Sequence, residues 1–136
     1  MIIICHRPPL GLWKVMAYKI EFDASTQIIS VIFSGATDLD SKLQATQEVV
    51  KLNADREGLK ILVDVREQKM EMLLGEQEAF GEYLANHYDL SRARVAVLHQ
   101  PKFNPNAVID VSAYKNGYQL GEFSSLAEAT KWLSKQ

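Results

Sequence analysis

Ser34, Asp64 and His99 follow one another in the chain order of an α/β-hydrolase triad, a hydroxyl, a carboxylate and an imidazole. The nucleophile of such a triad sits in a G-x-S-x-G elbow, and Ser34-Gly35 lacks that setting. Asp64, His87 and His99 are residue types that ligate metals, yet no pair has H-x-x-x-H or H-E-x-x-H spacing. His87 falls among apolar helix positions, where a histidine serves packing more often than ligation. The glycines form neither G-x-G-x-x-G nor G-x-x-x-x-G-K, so no phosphate cradle is expected. The expectation is a non-enzyme without cofactor or metal.

What remains is a surface. Between Gln68 and Leu74, Met70, Met72, Leu73 and Leu74 are interleaved with charges. Flexible, polarisable methionines suit adaptable apolar contacts. Two readings stand: a mobile lid or docking surface, or the start of a helix packed on the sheet. On the first, Met70, Met72 and Leu73 are at least partly exposed. Arg66 and His99, at strand ends where open α/β sheets bind ligands, and Tyr114 of a later helix complete the candidate ligand or partner surface.

The chain has 136 residues, the size of one domain, with 15 basic and 17 acidic residues and a net charge of -2. No basic stripe marks a nucleic-acid footprint. A single cysteine, Cys5, excludes an intramolecular disulfide and agrees with a reducing cytoplasm. No stretch reaches the ~18 apolar residues of a membrane span. The run Ile2–Cys5 is shorter than the about 7 apolar residues of a signal-peptide core. Residues 1–15 read as an extension outside the core fold, or as an apolar arm docking on the body or a partner; the domain is 16–136.

Period-two alternation marks a strand over Tyr18–Phe22 and a second over Ile28–Phe33, an antiparallel hairpin. Thr37 or Asp38 caps a helix reaching about Arg56, with Leu39, Leu43, Val49, Val50 and Ala54 as its stripe. Leu59–Val65 is a central strand covered on both faces. A charged passage, 66–75, leads to a helix over about Glu76–Tyr88 burying Phe80, Tyr83, Leu84 and His87. Arg94–His99 is another buried strand. Asn104-Pro105 opens a third helix with Ala107, Val108, Val111 and Tyr114 on one side. Tyr118–Phe123 is the last strand, and Ser125 with Glu128 caps a final helix. The order β-β-α-β-α-β-α-β-α makes a single-domain α/β protein, with a largely parallel mixed sheet of about five strands and about four helices.

The strand LKILVDV with its flanking helix and charged loop, and the terminal GYQLGEFSSLAEATKWL, resemble the SpoIIAA-like family of small bacterial STAS-type domains. That fold is also likened to CRAL-TRIO lipid carriers. The resemblance covers about 17–135. It implies a cytoplasmic module, peripheral to a membrane at most, that acts in regulation by binding a protein partner or a second copy of itself. The alternative it implies is a carrier of a small apolar or lipid-like ligand. STAS-type antagonists of anti-sigma factors are switched by a phosphorylated serine after the central strand, and here 63–89 contains neither Ser nor Thr.

Overall fold

The computed structural model describes residues 2–6, 17–52 and 58–135. Tyr18, Ile20 and Phe22 are buried along β2 (Ala17–Asp23), which turns at 24–27 into β3 (Ile28–Thr37) as an antiparallel hairpin. From β3 the chain alternates: α1 (Leu39–Leu52), β4 (Lys60–Met70), α2 (Leu74–Asn86), β5 (Arg94–Leu98), α3 (Ala107–Lys115), β6 (Gln119–Phe123) and α4 (Leu126–Ser134). The strands β3, β4, β5 and β6 are parallel neighbours.

A sixth strand, β1 (Ile2–His6), pairs antiparallel with β2 at the sheet edge, so the strand order is β1 to β6. This corrects the expectation that residues 1–15 lie wholly outside the fold. The physical reason is the position of the prolines. Pro8 and Pro9 lie beyond the paired segment, so no donor is lost from Ile2–His6, and its three consecutive isoleucines favour strand. The rest of the expected extension, 7–16, lies outside the described residues.

Successive strand residues point to opposite faces. Val31, Ile61, Val95 and Val97 pack with Ala45 and Val49 of α1 and Ala113 of α3 in the main core. Leu62, Ala96 and Leu98 pack beneath Ala129 and Leu133 of α4 on the other face. The Ser125 hydroxyl accepts from the Glu128 N–H at 3.3 Å, capping α4 as its sequence predicts. Asp38 caps α1 in the same way, accepting from the Ser41 N–H at 3.0 Å.

Three expectations need correction. First, β4 runs to Met70, so 66–70 is strand rather than loop, because β3 is long enough to pair as far as Thr37 with Met70. Second, α3 buries Ile109, Asp110 and Ala113, while Val111 and Tyr114 face solvent. Third, α1 turns Lys42, Ala45, Thr46 and Val49 inward, leaving Leu39, Leu43 and Val50 half-buried. In both helices polar residues share the buried side, which an apolar stripe does not reveal. Ala54 lies outside the described residues.

Candidate functional site

One residue in β4 decides what faces α1. Ile32 pairs with Asp64 but Ser34 pairs with Glu67, so β4 carries a bulge at 65–66. Ile61 and Val65 point to the helix face, and unbroken alternation would bring Glu67 there next. The extra residue shifts the parity, leaving Glu67 exposed and burying Gln68 instead. Gln68 thereby meets the first turn of α1.

There Lys42 Nζ donates to Gln68 Oε1 at 2.6 Å and to Asn106 Oδ1 at 3.1 Å, and lies 3.8 Å from the centre of the Phe33 ring. Two oxygens and a ring face take up the three N–H bonds of an ammonium. Gln68 Nε2 donates to the same Asn106 oxygen at 3.0 Å. Burial lowers the Lys42 pKa to about 7, partly offset by the nearby Asp110 carboxylate. This buried lysine was not among the residues singled out in the sequence.

Asp110, one turn into α3 and 2% exposed, completes the cluster. Its Oδ2 accepts from Asn104 Nδ2 at 2.9 Å, and the same amide nitrogen also donates to Glu122 Oε2. Its Oδ1 is buried and receives no hydrogen bond from an amide, hydroxyl or amine among the described residues. Burial is the main cause that raises the Asp110 pKa, to about 8, and a hydrogen bond with the Glu122 carboxyl adds to it. A bond between two carboxyl groups requires that one of them hold a proton.

Lys42, Asn106 and Asp110 form the polar end of a cavity of about 70 Å³ between the sheet, α1 and α2. The remaining walls are apolar, among them Val31, Val49, Leu84 and Val97. The polar end lies toward the carboxyl ends of β3 to β6, the side on which open α/β sheets bind ligands. Gln68, Asn104, Asn106 and Glu122 follow those strands' apolar runs, a positional signal that reading the apolar runs alone passes over.

The residues expected to form a surface are divided by the structure. Met72 is buried with Phe80 and Ile109, against the exposure that the lid reading asks of it, while Met70 packs against the same cluster half-buried and so remains partly exposed. Leu73 and Leu74 are 73% and 63% exposed at the start of α2. Tyr114 is exposed on α3 together with Val111. Arg66 is exposed but engaged, its Nε and Nη2 donating to the two carboxylate oxygens of Asp64 at 3.0 and 2.8 Å. His99 is half-buried, its Nδ1 2.7 Å from the Gln100 carbonyl oxygen. His87 caps the C-terminus of α2, packs edge-on against Tyr83 and accepts from the Asp89 N–H at 3.0 Å. Tyr83 itself is 39% exposed rather than buried.

The outer faces of α2 and α3 enclose a second concavity, an open groove of about 690 Å³. Gly75, Ala79, Ala107, Val108 and Val111 line it, with Glu78, Glu82 and Lys115 also on its walls. The helices approach closely because Gly81 has no side chain: a Cβ there would lie 2.5 Å from the Ile109 carbonyl oxygen. Ser112 Oγ donates to the Glu78 carbonyl at 2.6 Å and ties the pair together.

No family model matches the sequence, and no curated protein matches it. Among solved structures, the chain is similar to an uncharacterised protein of the DUF3478 family from Shewanella loihica PV-4, described as having a SpoIIAA-like fold. The two share 17% identity over 87% of this chain and 93% of that one, with a TM-score of 0.59. The four parallel strands, the antiparallel hairpin ahead of them and the four helices are therefore those of a SpoIIAA-like α/β fold.

Proposed function

We propose that this chain is a non-enzymatic bacterial interaction module that acts in regulation by holding a protein partner on the outer face of α2 and α3, with no serine switch after the central strand. The observation carrying this reading is the exposure of Leu73, Leu74, Val111 and Tyr114 on those two helices, beside a groove lined by small and apolar residues. A groove of that form suits the apolar side of an amphipathic helix, with Glu78, Glu82 and Lys115 available to charges flanking it. A photo-reactive residue at position 111, activated in the producing cells, is expected to cross-link one dominant protein. Leu74→Asp is expected to abolish that product while leaving the fold intact. Diffuse cross-linking that Leu74→Asp does not change would refute the reading.

A second reading, binding of a small apolar ligand, is favoured by the cavity beneath α1 and α2. Its about 70 Å³ suits a compact molecule rather than an extended acyl chain.

A further inference from the structure

We propose that the cavity between the sheet, α1 and α2 binds a small neutral molecule carrying one hydroxyl group, and that Asp110 holds that hydroxyl. The inference deepens the ligand-binding reading and does not depend on docking at α2 and α3.

Size comes first. A water-sized centre occupies about 10–15 Å³ of such a volume, so the about 70 Å³ present here corresponds to a ligand of about five heavy atoms. Most of the wall is hydrocarbon, from Val31, Val49, Leu84 and Val97, so most of the ligand is hydrocarbon too.

Charge comes next. An ionised ligand entering an apolar chamber needs a counter-charge with free donors or acceptors. Lys42 is the cation at hand, and its N–H bonds are already directed at Gln68, Asn106 and the Phe33 ring. A carboxylate ligand would have to break that arrangement. An ammonium ligand would enter beside Lys42 itself. Both are disfavoured relative to a neutral molecule.

The polar group is set by Asp110. Its Oδ1 is buried without an amide, hydroxyl or amine donor among the described residues, on a side chain that lines the cavity. Burial raises the Asp110 pKa to about 8, so near neutral pH the carboxyl group is met both with and without its proton and can donate in one state and accept in the other. A hydroxyl both donates and accepts, and satisfies either state. A hydrocarbon or a halide satisfies neither.

The test uses 1-butanol, 1-chlorobutane and butyrate, titrated separately into the full chain and followed by amide and methyl NMR. The expected result is a saturable 1-butanol response centred on Val31, Val49, Leu84 and Val97, with 1-chlorobutane and butyrate at least tenfold weaker. Ala45→Leu, which fills the cavity from α1, is expected to remove it. Should that variant not fold, the location of the shifts and the ranking of the three probes in the unaltered chain decide the matter. Equal affinity for 1-butanol and 1-chlorobutane would overturn the hydroxyl assignment while keeping an apolar-ligand site. Tighter binding of butyrate would overturn the neutral-ligand argument. A non-saturable response, or one confined to the exposed α2 and α3 residues, would overturn the site and the ligand-binding reading together.

Discussion

Lys42 and Gln68, 26 residues apart, meet at 2.6 Å and join the first turn of α1 to the tail of β4 behind its bulge. A buried ammonium loses much when an acceptor is removed, because water cannot replace it. Gln68→Ala is expected to cost about 1.5–3 kcal/mol in urea unfolding, the range for hydrogen bonds to charged groups. A change below about 0.5 kcal/mol would show that Lys42 is neutral or hydrated at this site.

Lys42 and Asp110, the two buried ionisable groups of the cluster, give stability an unusual pH profile. Lys42 titrates at about 7 when folded, against about 10.4 when unfolded. Across that window the unfolded chain binds the extra proton, and stability rises with pH. Asp110 titrates at about 8 when folded, against about 3.9 when unfolded. Across its window the folded chain holds the extra proton, and stability falls as pH rises. The two slopes oppose each other between about pH 7 and 8, so a shallow stability minimum is expected there. Denaturant midpoints measured between about pH 5 and 9.5 check this. Lys42→Met should flatten the alkaline limb, and Asp110→Asn the acidic one.

Gly81 is the contact point of α2 with α3. Gly81→Ala places a methyl group against the Ile109 carbonyl and the Ser112 Cβ, both on α3 backbone or at its root. Neither can swing aside. Alanine's better helix propensity returns about 1 kcal/mol, but overpacking of this kind costs typically 1–3 kcal/mol. A net loss of stability is expected, together with weaker partner capture at the groove. A more stable Gly81→Ala variant would show that the two helices separate freely.

Met72 and Leu74 are two residues apart and differ sharply in burial, at 6% and 63% exposed. Met72→Glu buries a carboxylate between Phe80 and Ile109, with an expected cost of several kcal/mol or a raised pKa for the new acid. Leu74→Glu is expected to change stability by less than about 0.5 kcal/mol. Thermal unfolding of the two variants side by side checks the contrast.

Much of the fold was legible because period-two and helical apolar patterns report packing directly. Tyr18, Ile20 and Phe22, the LKILVDV strand and the Ser125 cap all lie where those patterns place them. The candidate site was not legible by the same means. Lys42, Gln68, Asn106 and Asp110 are polar residues turned inward, and a hydrophobic pattern assigns every such residue to solvent. On α3 the error reversed the helix, since Asn106 and Asp110 lie beside Ile109 and Ala113 on the buried side. Lys42, Gln68 and Asn106 are satisfied by partners remote in sequence, as Lys42 is by Asn106 64 positions away. No local pattern contains that information.

The bulge in β4 lets the strand carry one residue more than its partner without displacing the amide that faces α1. Deleting one residue at 65–66 would restore strict alternation with Glu67 still turned outward and Gln68 still facing Lys42. Flattening the bulge at unchanged length is the opposite case, since alternation counted on from Val65 would then bring the Glu67 carboxylate to α1. The shape of the strand, and not residue identity alone, thus decides whether a neutral amide or an anion meets the buried ammonium.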